Sequence, residues 1–398
     1  MKKIILSVLA TSALMAGGYK IPEVSTNGVA LSAANVAHNK SADAAYYNPA
    51  NMVFMKHDGL MEIGAMYVGL SDVKYKGDDH SSGPYNMKSS KEDFFIPSFH
   101  YVSPEIAGAR LGFSMVVPAG LSKRWSEQPA EASAEEFTLE TIEFNPTIAI
   151  PIGDKIGIAV GFRGIYSKGK VKGRVPGAMK LNMDGTSMDY GYNLAMSYKP
   201  LKELELALTY RSKVNIGVQG DADVFHAYYI PSKVKTDVSV DIPIPAALNA
   251  AIAYTFPTKT TIEFVYERTY WHSYSNINFQ YHDATAEAVF GNKKDKNWDD
   301  TSTYRLGITQ ELDALTLMCG VVRDETPVPE STADYSLPDS DSTSVSLGAR
   351  YQITDKMNIG LAGLYSMRDD RVVHNDELDG EFTDSNVLMI SAGLEYRF

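Results

Sequence analysis

The 398-residue sequence contains a single cysteine, Cys319. No disulfide can close within the chain, which excludes the cross-linked framework of a small secreted domain. It has no run approaching the ~20 consecutive apolar residues of a membrane-spanning helix. Positive charge is scarce, with 37 Lys and Arg against 49 Asp and Glu and a net charge of −12. That balance argues against nucleic acid as a partner. The eight histidines are scattered, and the two that adjoin a serine, at His80-Ser81 and His272-Ser273, have no third group to orient them. A hydrolytic nucleophile and base are therefore not assembled, and no enzyme is expected. There is no Gly-rich phosphate loop and hence no expected nucleotide cofactor. The acidic pairs Asp78-Asp79, Asp299-Asp300 and Asp369-Asp370 lack a fixed ligand spacing, so no metal site is expected either.

What is present begins with a secretory signal at residues 1–18. Lys2 and Lys3 form its basic start, Ile4 to Met15 its apolar core, and Ala16, Gly17 and Gly18 the small residues before cleavage. Cleavage after Ala16 and cleavage after Gly18 both remain open. Residues 19–57 are small and polar and show no sustained period of 2. The one helical stretch, at most Val29 to Asn39, is too short to stand alone in water. Pro49 removes a backbone donor and pushes Asn48 out of the helical region. This segment, with Asn48, Pro49 and Ala50 at its turn, reads as a plug or hatch that needs walls around it.

Residues 58–398 supply the walls. Fourteen strand-like segments are expected at 59–71, 92–103, 107–118, 137–151, 155–171, 187–199, 202–218, 235–256, 258–272, 301–311, 313–324, 342–353, 355–368 and 385–398. Every second connection is short, while the others, including 172–186 and 219–234, are long and polar. Short turns on one rim and long loops on the other describe an outer-membrane barrel. Side chains alternate with period 2; over 235–256 the even-numbered residues from Val238 to Phe256 form one apolar face. Tyrosines such as Tyr166, Tyr198, Tyr254, Tyr351 and Tyr365 tend to end the apolar faces, as in interfacial girdles, so those faces are assigned to lipid. The interior then receives Arg110, Arg163, Arg211, Arg305 and Arg350, with Glu143, Glu205, Glu263 and Glu267. The last strand alternates to a terminal Phe398, which is similar to the signal that barrels present to their assembly machinery. The fold expected is all-β: a 14-stranded antiparallel transmembrane barrel of the Gram-negative outer membrane, with an N-terminal hatch inside, and a monomer.

The motifs Gly18-Tyr19-Lys20-Ile21-Pro22-Glu23, Tyr47-Asn48-Pro49-Ala50, Leu208-Thr209-Tyr210-Arg211-Ser212-Lys213-Val214, Tyr304-Arg305-Leu306-Gly307 and Leu337-Pro338-Asp339-Ser340-Asp341 occur in that order. In order and spacing the chain resembles the FadL-type long-chain fatty acid transporters, a family that includes hydrocarbon channels. The resemblance implies passive capture of a hydrophobic small molecule at the external loops and a tighter inner site. It also implies sideways release into the membrane through a kinked third strand. Pro118, which cannot donate to a ladder, and Gly112 and Gly120, which weaken a strand, mark that lateral gate. Tyr19 matches the family's ligand-touching residue near the mature N-terminus. The basic residue that meets the carboxylate falls at Gly173 in an ungapped reading, and Arg174 takes the role only if a bulge turns it inward. Otherwise Lys168, Lys170, Lys172 and Arg174 project outward toward outer-membrane lipid and lipopolysaccharide phosphates. A hydrocarbon uptake channel of the same fold, a general porin, and an adhesin or phage-receptor barrel stay open as alternatives.

Overall fold

The computed structural model describes residues 17–55, 59–78 and 83–398. The expected secretory signal lies outside the described residues except for Gly17 and Gly18. Fourteen antiparallel strands close into a barrel, and among the described residues no helix is long and apolar enough to cross a membrane. They are β1 (Leu60–Leu70), β2 (Glu92–Val102), β3 in two pieces (Arg110–Val116 and Gly120–Lys123), β4 (Glu136–Ile152), β5 (Ile156–Val175) and β6 (Met179–Tyr198). Then come β7 in two pieces (Leu204–Arg211 and Val214–His226), β8 in two pieces (Ile230–Ile244 and Ala246–Thr255), β9 (Thr260–Tyr270) and β10 (Thr301–Glu311). The last are β11 (Leu315–Asp324), β12 (Ser342–Thr354), β13 (Met357–Arg368) and β14 (Val387–Arg397). The seam runs from Leu60↔Arg397 to Leu70↔Val387, so no edge is left there.

Alternation sorts the side chains. Ile63, Ile148, Phe162, Leu208 and Leu361 face out, as does Leu347, which is 70% exposed. Tyr166, Tyr198, Tyr254, Tyr351 and Tyr365 are exposed with them. Arg110, Arg163, Arg305, Arg350, Glu143, Glu205, Glu263 and Glu267 are buried inside, and Arg211 is half-buried.

Two expectations are corrected. Residues 172–186 and 219–234 are not loops. Strands β5 to β8 run on through them and turn only at 176–178 and 227–229. Nor do the even-numbered residues of 235–256 share one face. Ile252, Tyr254 and Phe256 face out, but Val238, Ile242 and Ile244 are buried. The flip occurs at Pro243-Ile244-Pro245, which interrupts the ladder because proline donates no hydrogen bond. The neighbouring β7 flips at the same level, so the register survives: Arg211 still pairs Ala247, and Val214 pairs Ile244. Above this kink β7 and β8 turn apolar residues inward and charges outward, such as the Asp223–Lys233 pair at 2.8 Å. That is the polarity of a wall standing in water beyond the bilayer.

The segment from Tyr19 to Met52 is almost wholly buried inside the barrel. It holds α1 (Thr26–Ala30), capped by Ser25, α2 (Ala44–Tyr47) and a 3-10 turn (Pro49–Phe54). Glycines on the wall make room for it. A Cβ on Gly307 of β10 would lie 2.9 Å from Ala34, and one on Gly320 of β11 would lie 2.8 Å from the Ser32 amide. Gly307 and Gly320 are direct partners across the ladder. Close approach of backbone to backbone, rather than any turn, accounts for these glycines.

Candidate functional site

Three sets of contacts pin the N-terminal segment. Glu263 of β9 accepts the backbone N–H groups of Val36 and Ala37 at 2.6 Å each and of His38 at 3.0 Å. Asn48 and Asn51 donate to the Val36 carbonyl at 2.7 and 3.1 Å, and both bond to Ser197 of β6. Arg350 of β12 joins Asn27 of α1 to Glu62 of β1 at 2.5 Å to each. Backbone groups buried in this way need such partners, since no regular element supplies them.

The first residues of the segment make a single β-bridge, Lys20 to Ala119 of the β3 interruption. At one end Ile21 N–H donates to the Pro118 carbonyl at 2.9 Å, and Gly120 N–H donates to the Tyr19 carbonyl at 2.8 Å. At the other end the Tyr19 hydroxyl donates to the Pro243 carbonyl. The Tyr19 ring, 1% exposed, is boxed by Trp271 and Trp298 with centroids at 4.9 and 5.6 Å. The interruptions in β3 and β8 are thus linked by Tyr19 to Ile21, through backbone at Pro118 and Gly120 and through the Tyr19 side chain at Pro243.

The wall is thin at β3. Its lower piece pairs with β2 only from Phe99↔Met115 to Val102↔Gly112. Its upper piece pairs with β4 from Gly120↔Glu140 to Lys123↔Phe137. Among the described residues, Asp93 to Ser98 of β2 have no ladder partner in β3. The opening ends above at Ser90 N–H to the Arg124 carbonyl, 2.8 Å.

A narrow cavity of about 60 Å³ lies behind it, lined by Lys20, Ile21, Tyr46, Pro118, Arg211 and Ile244 among others. Its cations share a smaller number of carboxylates. Lys20 pairs Glu267 at 2.7 Å, Arg163 pairs Glu143 at 3.0 Å, and Arg211 pairs Glu143 while its guanidinium lies 4.1 Å over the Tyr46 ring. Cations therefore outnumber carboxylates around the cavity, where Arg305 also lies 3.6 Å from the Glu267 that Lys20 uses, and Ile21, Tyr46, Pro118 and Ile244 supply apolar contact surface. A second cavity, of about 30 Å³ and with a largely apolar lining, lies in the outer extension between Phe137, Val171, Met183, Val218, Val238 and Phe279. It owes its character to the inward apolar residues above the β7–β8 kink.

The residues singled out in the sequence fall as follows. Pro118 and Gly120 sit at the interruption of β3. Gly112 lies in its regular ladder, where a Cβ would come 2.8 Å from Met52 of the N-terminal segment. Tyr19 borders the aromatic box rather than the cavity, which its neighbours Lys20, Ile21 and Pro22 line. Asn48 is fully buried, and its side chain caps the Pro49 turn by accepting from Ala50 N–H at 3.2 Å. Arg174 is on the outer face of β5, half exposed, and its Nε donates to Glu131 at 3.0 Å. Phe398 bonds back to Gly59 at the seam. Sequence reasoning missed the Glu263 cradle and the β8 interruption. The pair Pro243 and Pro245 within one strand was the signal for the latter.

The profile of the family described as "Outer membrane protein transport protein (OMPP1/FadL/TodX)" matches residues 7–398. Outer membrane protein P1 of Haemophilus influenzae is 24% identical over 92% of this chain and 90% of its own. The long-chain fatty acid transport protein of Salmonella typhi is 23% identical over 90% of this chain and 89% of its own. Among solved structures, a Pseudomonas aeruginosa FadL homologue superposes with a TM-score of 0.85 at 20% identity, covering 96% of this chain and all of its own. The Ralstonia pickettii toluene transporter TbuX gives 0.71 at 15% identity, covering 94% and 98%. At these identities the superpositions speak to fold alone.

Proposed function

The chain belongs to the OMPP1/FadL/TodX family of outer membrane transport proteins, and on that premise we propose that it is a passive transporter of elongated hydrophobic compounds, long-chain fatty acids first among them. Ligand is captured in the outer apolar cavity, held between wall and N-terminal segment in the cavity beside Tyr46, and released sideways between β2 and β3 into the bilayer. One observation carries this reading: Pro118 lines the inner cavity and also marks the place where β3 parts from β2. Burial of an alkyl chain supplies about 0.8 kcal/mol per CH₂ without regard to chemical detail, so affinity needs few polar contacts. Tyr19 acts as the latch between the two interrupted strands, and its contact with ligand follows release of that latch. Residues 19–57, turning at Asn48-Pro49-Ala50, are the hatch, and Gly112 is its seat on β3. The unbroken parity of β5 favours an outward role for Arg174, with Lys168, Lys170 and Lys172, toward lipopolysaccharide phosphates.

The test is uptake of radiolabelled long-chain fatty acid by a host lacking its own outer-membrane carrier, comparing the native protein with a variant lacking Tyr19 and Lys20. Uptake that falls in the variant, with heat-modifiable gel migration preserved, supports substrate class and latch together. A folded native protein that moves no fatty acid removes that substrate, and toluene-like hydrocarbons take its place. Large steady ion conductance of the native protein in a planar bilayer would instead indicate an open porin.

A further inference from the structure

The gap between β2 and β3 keeps its register. Below it the ladder runs from Val102↔Gly112 to Phe99↔Met115, and above it Ser89 bridges Trp125. Each strand spends the same ten residues between these anchors, from 89 to 99 on one side and from 115 to 125 on the other. Side chains reinforce the upper anchor, since Ser122 and Arg124 both donate to Glu92. The surplus that lets β3 bow inward lies on its other edge. From Val116↔Glu143 to Gly120↔Glu140, β3 takes four steps against three on β4, a bulge of one residue.

Backbone groups of an antiparallel strand turn alternately to its two neighbours. Ser90 N–H donates to the Arg124 carbonyl at 2.8 Å, so the even-numbered residues here turn toward β2. The Ala119 carbonyl accepts from Thr141 of β4, so the odd-numbered residues turn the other way. Pro118 and Gly120 therefore belong to the β2 edge, and in the register of the anchors they stand opposite Ile96 and Phe94. Yet the Pro118 carbonyl is taken by Ile21 N–H at 2.9 Å, and Gly120 N–H by the Tyr19 carbonyl at 2.8 Å. The N-terminal segment occupies the two groups that β2 would use. A closed β2–β3 ladder would lack one bond, because Pro118 has no N–H, which weakens it against the seated segment.

We propose that Tyr19 to Ile21 hold the lateral opening open by competing with β2 for the edge of β3. Seated, they keep the two strands apart; withdrawn, they let β3 zip onto β2 in the existing register and shut the wall. The N-terminal segment is then the prop of the opening as well as the plug of the lumen. A barrel that loses its plug closes its side, so no unguarded path joins the lumen to the bilayer. That this gap is the exit rests on the transport reading above.

The experiment traps the closed pairing with a disulfide. In a Cys319→Ser background, which removes the only thiol, Phe95→Cys and Ala119→Cys come within bonding reach only when β3 zips onto β2. Tyr101→Cys with Phe113→Cys, opposite each other in the lower ladder, is the positive control. Phe95→Cys with Val117→Cys, two residues out of register, is the negative control. Ile21→Pro removes the N–H that Pro118 accepts. In the purified full-length barrel it should speed oxidation of the 95–119 pair by about tenfold and leave both control pairs unchanged. Equal rates with and without Ile21→Pro, or a matching gain at the off-register pair, overturn the proposal. A second measurement keeps the native segment and is independent of how Ile21→Pro folds. Locked by complete oxidation, the 95–119 protein should exchange its Ile21 amide about tenfold faster than its own reduced form. Equal protection, or no disulfide even with a strong oxidant, overturns the proposal as well. Neither readout involves ligand, so their failure leaves the transport reading standing. Uptake of labelled fatty acid by the locked barrel that matches the reduced barrel overturns lateral release instead.

Discussion

Replacing Gly320 by Ala adds one methyl group on the lumenal face of β11. The new carbon would lie 2.8 Å from the Ser32 amide nitrogen and closer still to the Leu31 carbonyl. Both neighbours are backbone, so no side chain can swing aside, and the N-terminal segment has to move as a unit. Overpacking of this kind costs about 1–3 kcal/mol. The cost falls on the docked segment, because the ladder partners Gly307 and Ser346 keep their places whether or not the segment is seated. Local opening of the segment should therefore become roughly 5- to 150-fold more frequent while the barrel is unaffected. The control is Gly363→Ala in β13, where the nearest atom to an added Cβ is the Met389 carbonyl oxygen at 3.8 Å. Hydrogen exchange in detergent reads both. Amides from Gly28 to Ala34 should lose protection in Gly320→Ala alone, with strand amides and heat-modifiable migration unchanged in both variants. Equal protection in the two variants would refute the assignment of this glycine to seating the segment.

Glu263→Gln leaves an amide NH₂ facing a backbone N–H where a carboxylate oxygen stood, so exchange at Val36 to His38 should accelerate by the equivalent of about 2–3 kcal/mol. Leu347→Lys places a charge on the lipid face of β12 and should lower barrel stability in liposomes by about 2–4 kcal/mol in urea titrations, with uptake per folded molecule unchanged. In the outer loop, burial favours the neutral form of Asp334, but the ammonium of Lys296 at 2.7 Å prevails and holds its carboxyl down at about 2. A depressed carboxyl contributes its stability above the unfolded value of about 3.9 and loses it as pH falls through the folded value. Protease resistance of the 325–341 loop, measured with an acid protease, should hold from pH 7 to about 4 and decline toward 2. In Lys296→Met that loop should be cleaved faster throughout the upper part of this range.

The barrel was legible because its signals repeat. Turns such as Gly153-Asp154-Lys155 and Pro257-Thr258 recur at every second connection, and lumenal charges such as Arg305 and Glu263 alternate with lipid-facing Leu306 and Ile262. The outer extension of β5 to β8 was not legible for a related reason. Alternation continues through 219–234, but there the apolar residues Ala222 and Val224 face inward. A reading that equates the apolar face with lipid ends the strand where the lipid ends. The seating of the N-terminal segment was hidden more deeply. Glu263 meets three backbone N–H groups, which have no side-chain signature, and Gly307 and Gly320 look like any strand glycines until Ala34 and Leu31 are brought against them. Arg174 was undecidable from spacing because one bulge would reverse its face; β5 pairs with β6 in unbroken register from Ile156↔Tyr198 to Val175↔Met179, so its outward parity persists to the tip.

The two interrupted strands and the first residues of the N-terminal segment form one hydrogen-bonding unit. Pro118 and its neighbours take β3 away from β2, and Pro243 and Pro245 divide β8. Each interruption leaves backbone groups that an unbroken ladder would have used. Tyr19 to Ile21 take up three of them: the Pro118 carbonyl, the Gly120 N–H and the Pro243 carbonyl. Withdrawing those residues while the opening persists would leave each group unsatisfied at a cost of about 1–3 kcal/mol unless water or ligand replaces them. A dry alkyl chain offers no hydrogen bond, so it cannot substitute for those residues at these groups. It can lodge beside Ile21, Tyr46 and Ile244 while they stay paired, and full withdrawal during passage becomes favourable only once water reaches the lumen. The physics therefore favours a small shift of these residues during passage over their expulsion. Tyr19→Phe, which frees only the Pro243 carbonyl, should then raise uptake modestly, whereas removing Tyr19 and Lys20 should abolish it. A drop in uptake in Tyr19→Phe as large as in the deletion would refute this reading and show that transport depends on the Tyr19 contact at Pro243 rather than on the pairing at Pro118.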